Sequence, residues 1–370
     1  MKTVLLVVVF VHGLIHLLGF LKGWGISEIK ELTLPISKTW GLLWLTALLL
    51  FLAFGILYFV ENEYAWVIGL LAVVVSQVLI IAFWKDARFG TIPNIVILCI
   101  SIFLYGQHQF KSMVKEEISG LVSSINPSDS AVVSESDIQD LPEPVRRWLH
   151  HSGILGKPHI YLGKVVQRAE MKMKPEQQNW LPATAVQYTA LYPPAFIWVV
   201  DVKMKSWLHF SGRDKFEKGK GQMLIKVNSL IPVVNEKGNK LDEGTLQRYL
   251  GEIVWFPSLA LSPYIAWEPL DENSAKATMT YNGTSGSGVF YFNSDGDFLK
   301  FSALRYKENT PEARRYEWVI QAEEYMWFEG IRVPSRLTAT WKLEAGDWNW
   351  LKLQIVDIHY NENARINLDF

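Results

Sequence analysis

Four apolar runs occupy the start of the chain: Val4 to Phe20, Gly41 to Val60, Ala65 to Trp84 and Ile92 to Tyr105. Each approaches the ~17 to 25 residues that a helix needs to cross a bilayer core, the fourth only if it continues toward Phe110. The first run leads through LGFLKGWG into further apolar runs, so it is expected to be retained and not cleaved as a signal peptide. After Lys115 the pattern breaks. EEISGLVSSINPSDSAVVSESDIQD holds seven serines and six acidic residues in 25 positions, too few apolar groups to pack, and reads as a tether. In LPEPVRRWLHHSG, Pro144 stands at a helix start, Val145, Trp148 and Leu149 recur at helical spacing, and Gly153 supplies a stop, which predicts a short amphipathic helix.

From His159 onward, segments such as TAVQYTALY, AFIWVVDVKM and IRVPSRLTATWKL are rich in β-branched and aromatic residues and predict ten strands. NSDGD at 293–297, FEG at 328–330 and EAGD at 344–347 are Gly-bearing connections suited to hairpins. The last five or six strands are therefore expected to form an antiparallel meander in one curved sheet or open barrel. One helix interrupts them. In LDEGTLQRYLGEIVWFP, Asp242 is the expected N-cap, Leu246, Leu250 and Ile253 or Val254 share a face, and Pro257 ends the helix. This lid-like helix, about 243–256, would lay Leu246, Tyr249, Leu250, Ile253, Trp255 and Phe256 against the sheet or against a ligand. The fold class is α+β: a four-helix transmembrane domain (1–110), a tether (111–140) and an antiparallel β half-barrel with one or two amphipathic helices (141–370).

Charge adds an orientation. Lys22, Lys30, Lys38, Lys85 and Arg88 fall in the first and third connections, against Lys2, Lys111 and Lys115 on the other side, which places the β domain outside the cytoplasm of a cell membrane crossed several times. The net charge of −1 offers no footprint for nucleic acid. The lone Cys99 excludes a disulfide or a thiolate metal cluster.

Candidate chemistry is sparse. His12 and His16, one helical turn apart, could chelate a metal, yet the other apolar runs offer only Gln77, Asn94 and Cys99, so neither metal nor haem is expected. Two readings remain: a titratable or ligand-contacting pair, since intramembrane ionisable groups carry function, or neutral imidazoles hydrogen-bonding Gln77, a backbone carbonyl or each other, with Gly13 and Gly19 permitting close helix packing. KDARFGTIPN has half of a prepilin-peptidase signature without its second half, and is better read as a loop in which Thr91 or Asn94 caps the next helix and Pro93 fills its first turn. GRDKFEKGKG gathers Arg213, Lys215, Lys218 and Lys220 against Asp214 and Glu217, and reads as a solvated hairpin more readily than as a headgroup-binding patch. Arg248 and Glu252 are spaced as a surface ion pair. No nucleophile–base constellation, phosphate loop or cofactor motif is present, so catalysis is not expected. Ten of the 16 tryptophans lie beyond residue 175, Trp198, Trp207 and Trp318 among them, and aromatics build both cores and apolar cups.

The closing run, GVFYFNSDGDFLKFSALRY and EYMWFEGIRVPSRLTATW with its I-x-V-P at Ile331 to Pro334, resembles the lipoprotein-carrier (LolA- or LolB-like) half-barrel of the bacterial envelope. HGLIHLLGF, ARFGTIPN, LPEPVRRWLHHSGI and LQRYLGEIVWFPS together resemble an uncharacterised bacterial family of membrane-anchored proteins, which implies architecture and no reaction. The sequence thus points to a noncatalytic, membrane-held β domain that binds an apolar ligand such as a lipid or acyl chain. Two alternatives stand beside it: a membrane enzyme or transporter working through His12 and His16, and an envelope scaffold or sensor that binds another envelope protein.

Overall fold

A computed structural model describes residues 2–125, 131–205 and 208–361; Trp207 and part of the expected tether, 126–130, lie outside them. The chain divides into two units, Met1–Ser112 and Met113–Phe370.

In the first unit, α1 (Lys2–Gly23), α2 (Lys38–Phe59) and α3 (Ala65–Ala82) are followed by a short α4 (Trp84–Ala87) and by α5 (Thr91–Ser123). The helices Lys2–Gly23, Lys38–Phe59, Ala65–Ala82 and Trp84–Ser123 are long and apolar enough to cross a membrane. They are apolar on both sides: Val9, Phe51, Phe54 and Ile97 are buried, while Val4, Val74, Ile81 and Ile92 are exposed, so the apolar surface is not confined to the packed side. Gly19 admits the Trp44 ring, which would lie 2.1 Å from a Cβ at that position, so small residues set the approach of α1 to α2. Asp86 accepts from Thr33 N at 2.6 Å, Thr33 Oγ1 at 2.8 Å and Leu34 N at 2.9 Å, which pins the α1–α2 connection to α4. α5 begins at Thr91, and Asn94, one of its two expected caps, is instead buried.

The second unit opens with a departure from the sequence reading. The helix runs on to Ser123 through residues expected to be a tether, and Val114, Ile118, Leu121 and Ile125 are buried. Their near-i,i+4 spacing is an apolar stripe that the serines and acids obscure. Glu117 pairs with Arg213 at 3.0 Å and Lys215 at 3.1 Å, which lays this tail on the outer face of the sheet. Beyond it come α6 (Glu135–Ile138) and α7 (Glu143–Ser152). α7 is the helix that the sequence predicts: Pro144 in its first turn, Val145, Trp148 and Leu149 buried, Gly153 left-handed at φ 71°.

The strands are β1 (Leu162–Met171), β2 (Leu181–Ala190), β3 (Ala195–Lys205), β4 (Leu208–Glu217), β5 (Lys220–Val227), β6 (Ile231–Lys237), then β7 (Ile265–Asp271), β8 (Ser274–Tyr281), β9 (Thr284–Phe292), β10 (Phe298–Tyr306), β11 (Arg315–Phe328), β12 (Ile331–Leu343) and β13 (Gly346–Tyr360). They form one 13-stranded antiparallel sheet in the order β6-β5-β4-β3-β2-β1-β13-β12-β11-β10-β9-β8-β7. Two meanders thus meet at its centre, where Gly163 faces Tyr360 and Met171 faces Leu351. The chain travels outward to β6, crosses through α8 (Asn239–Gly251), and returns from β7. Because α8 packs on β4, β5 and β6 as well as on β8, β9 and β10, both halves of the sheet must wrap around it: the sheet is a curled half-barrel. Bulges in β11, β12 and β13 supply part of that curvature. The expected hairpins at 293–297, 328–330 and 344–347 are present. β4, β6 and β7 go beyond the expected strands: β6 is an exposed edge with no buried face, and β4 carries charged residues that hide its alternation.

Candidate functional site

The concave face belongs to α8 and the 3-10 turns that follow it, Glu252–Trp255 and Pro257–Leu261. The helix starts at Asn239 and not near 243, because Asp242 is not its N-cap: it is buried inside the first turn, where its carboxylate accepts from Gly221 N at 2.8 Å and Lys220 Nζ at 2.9 Å. The regular helix also ends sooner than expected, at Gly251. Leu246, Tyr249, Leu250, Ile253, Trp255 and Phe256 are each at most 2% exposed, and they meet the sheet. Tyr249 Oη donates to Ala190 O at 2.9 Å, Trp255 Nε1 to Pro334 O at 3.1 Å, and Tyr360 Oη to Trp255 O at 2.9 Å. Phe256 fills the space above Gly163, where a Cβ would fall 2.0 Å from its ring.

Beneath the helix lies a layer of charge. Arg248 donates to Asp214 Oδ2 at 2.8 Å, Glu252 Oε1 at 2.8 Å and Gln187 Oε1 at 3.1 Å, and its guanidinium rests 4.9 Å from the Phe196 ring and 4.6 Å from the Trp198 ring. Gln187 Nε2 in turn donates to Glu252 Oε2 at 2.7 Å, and Trp198 Nε1 to Gln167 Oε1 at 2.9 Å. The Arg248–Glu252 pair is therefore not the surface pair that its spacing suggests; strand residues close over it and a second carboxylate joins. Burial raises Asp214 above the ordinary carboxylate range despite the opposing pull of Arg248 and Arg213. Burial acts downward on Arg248, but Glu252 and Asp214 outweigh it and hold the guanidinium above its ordinary value. A second arginine, Arg305 on β10, lies between Gly244 of α8 and Trp318, 4.0 Å above the indole ring. Burial, and then Arg248, pull it down to about 9.

The turns that follow α8 fill one end of the half-barrel, against the start of β1 and the end of β13, while α8 itself reaches back to the end of β10 and the start of β11, where Gln247 meets Leu304 and Glu243 pairs with Arg315 at 2.8 Å. At the opposite end, Phe210, Leu343, Trp348 and Trp350 are half-buried and continue the core outward as an aromatic wall. The side wall also has a break. β9 and β10 pair only as far as Val289 and Ser302; beyond that the Gln247 amide bridges them, donating to Ser287 O at 3.2 Å and Leu304 O at 3.0 Å. Gly286 leaves room for that side chain, and a surface groove of about 600 Å³ lies over the gap.

In the helical unit, His12 and His16 enter one network, in which one expected bond, to a backbone carbonyl, is present and the side-chain partners are others than Gln77. His16 Nδ1 meets His12 O at 2.8 Å; a carbonyl only accepts, so Nδ1 carries the proton and Nε2 accepts from Ser76 Oγ at 2.9 Å. Asn94 Nδ2 donates to Ser76 Oγ and to Gln77 Oε1, both at 3.0 Å, and Asn94 Oδ1 takes the His12 Nε2 proton at 2.9 Å. Every contact is satisfied with both imidazoles neutral. Gln77, one of the expected partners, is one bond removed, and Ser76 and Asn94 take its place. Among the described residues no three His, Cys, Asp or Glu side chains gather as they would around a metal ion.

The charged patch expected over 212–221 is a β4–β5 hairpin split by strand parity: Arg213 and Lys215 face outward to Glu117, Asp214 inward to Arg248. Strand parity is also the signal in the sequence that marks Asp214 and Arg305. Asp214 alternates with Phe210 and Phe216, and Arg305 with Phe301 and Ala303, so both charges sit on apolar-parity positions.

Among solved structures, a LolA superfamily protein, NE2245 from Nitrosomonas europaea, is similar at 10% identity with a TM-score of 0.29, over 60% of this chain and 94% of that one. No curated protein matches the chain. A family model matches residues 131–353, more than half of the chain, from just before α6 into β13. The half-barrel with its crossing helix, and not the apolar bundle, is thus the part on which membership rests: the chain belongs to the Family of unknown function (DUF6544).

Proposed function

We propose that the apolar helices hold the chain in a membrane and that the β unit binds an apolar ligand, a lipid or acyl chain, inside its half-barrel without catalysis. The aromatic end of the concave face carries this reading. There Phe210, Leu343, Trp348 and Trp350 keep partial exposure, whereas the end filled by Trp255 and Phe256 of the turns after α8 is closed. An apolar wall left half-open, backed by a packed core, is the form of a ligand cup. The α8 segment is the lid of that cup: withdrawing it would uncover the sheet residues that Leu246, Leu250 and Phe256 now cover, Gly163 among them. The neutral, fully bonded His12–His16 network favours a packing role over a catalytic one.

The test uses the full chain in detergent micelles and an uncharged fluorescent apolar probe, N-phenyl-1-naphthylamine, read as saturable fluorescence above that of micelles alone. Trp348→Glu together with Trp350→Glu should abolish the saturable component. Unchanged binding in that double variant would remove the cup from the proposal. A reporter fused after Glu117 should report the extracytoplasmic side, which is the side that a lipid-handling unit needs if the charge bias of the connections sets the topology.

A further inference from the structure

The cup has a floor, and the floor is short of acceptors. Arg248 is neutralised by two carboxylates, but Arg305 has none of its own: its Nε is buried without a partner, and among the described residues no side chain or carbonyl hydrogen-bonds or ion-pairs with its guanidinium. What it touches is the Trp318 face at 4.0 Å and, farther off, the Trp341 face at 5.7 Å. The Trp318 Nε1 donor, on a side chain 4% exposed, also lacks a partner, as does Gln167 Nε2 across the barrel. Buried polar groups are nearly always paired, and each exception asks for a reason. On half-buried Arg305 the exception is the Nε, and an unpaired nitrogen on a charged group costs more than one on a neutral group. Arg305 Nε, Trp318 Nε1 and Gln167 Nε2 are donors, set against one unmet acceptor on α8, Gln247 Oε1, and the charge among them is positive. Trp341 and Trp348, opposite one another on β12 and β13, carry the aromatic wall from Arg305 to the open end.

We propose that the half-barrel takes an amphiphile with an anionic group, a carboxylate or a phosphate, which pairs with Arg305 while the chain lies along the aromatic wall. This deepens the apolar-ligand reading and rests on it. The planar guanidinium, held by stacking between Trp318 and Gly244 of α8, presents its in-plane donors to an oxyanion at little conformational cost. Gly244 belongs to this device: a Cβ there would stand 3.3 Å from an Arg305 terminal nitrogen. Since Arg305 also contacts the lid helix, the bound anion would sit where it can hold α8 in place.

Full-length protein in maltoside micelles is titrated with oleate, 1-oleoyl-lysophosphatidate and oleyl alcohol, and bound fractions are read by native mass spectrometry for the wild type, Arg305→Gln and Arg305→Lys. The wild type should bind at least one anion ~10-fold or more tightly than the alcohol, as charge-assisted hydrogen bonds require. Arg305→Gln should bring that anion down to the level of the alcohol, and Arg305→Lys should keep part of the preference. A preference for oleate or for the lysophosphatidate supports the proposal and names the headgroup. Alcohol binding as tight as either anion, or an anion preference that survives Arg305→Gln, overturns the role of Arg305 and leaves the cup standing. Failure of all three ligands to bind the wild type overturns the cup and the anion site together. Should Arg305→Gln fail to fold, the wild-type ranking and Arg305→Lys still decide.

Discussion

Replacing Arg248 by Met tests whether the charged layer beneath α8 is as dry as its geometry implies. Methionine keeps an apolar stem over Phe196 and Trp198 but removes three hydrogen bonds and both ion pairs at once. Asp214 and Glu252, with side chains 20% and 8% exposed, then face each other without a cation between them. Breaking a buried pair by deleting one partner costs ~3–5 kcal/mol, which at ~2–4 °C per kcal/mol for a unit of this size lowers the unfolding midpoint by ~6–20 °C. The loss should depend on pH. Asp214 is already raised by burial, and losing Arg248 raises it further; stability linked to such a carboxyl is complete below its unfolded value of ~3.9 and falls as pH rises through the folded value. The penalty should therefore shrink between pH 8 and pH 5, and Arg248→Met with Asp214→Leu should recover most of it. Thermal unfolding of the full chain in micelles, followed by far-UV circular dichroism of the sheet, measures both. A loss below ~1 kcal/mol, the range of exposed pairs, or one equal at both pH values, would refute a desolvated layer.

Gly163→Ala should cost ~1–3 kcal/mol by driving a methyl group into the Phe256 ring, and Phe256→Leu in the same chain should return much of it; thermal shifts compare the three. Trp255→Phe, which leaves Pro334 O without its buried donor, should cost ~1–3 kcal/mol beyond the change in volume, seen as a lower midpoint with the fold intact. In the bundle, His16→Ala deprives Ser76 of its acceptor and should lower stability in micelles by ~1–2 kcal/mol. If His16 instead carried a required proton, a cellular phenotype would vanish with stability unchanged.

Much of the architecture is written locally. The four apolar helices, α7 with its Pro144 and Gly153, the Gly-bearing hairpins and the helix that interrupts the strands follow from periodicity and turn chemistry, because those depend on residues within a turn or two of each other. The tail of α5 shows the limit: Val114, Ile118 and Leu121 form a helical stripe, but whether a weak stripe among serines and acids becomes a helix depends on the sheet face waiting for it. Asp242 shows the same limit from the other side, since an acid at a cap position turned inward once β5 offered it a backbone N–H and a lysine.

What the tertiary structure alone decides is which distant residues meet. Pairing of β1 with β13 joins Gly163 to Tyr360, and no local pattern encodes that contact; it arises because two meanders, each unable to bury its inner face alone, close on the same helix. That closure carries Asp214, Arg248 and Glu252 into one ionic layer and sets Arg305 beside it, its Nε without an acceptor among the described residues. The sequence by itself determined that this chain would have an apolar bundle and a curled sheet. Only the folding of that sheet around α8 determined where charge would be stranded on its concave face, because burial, and with it the cost of an unpaired ion, exists only once the strands have come together.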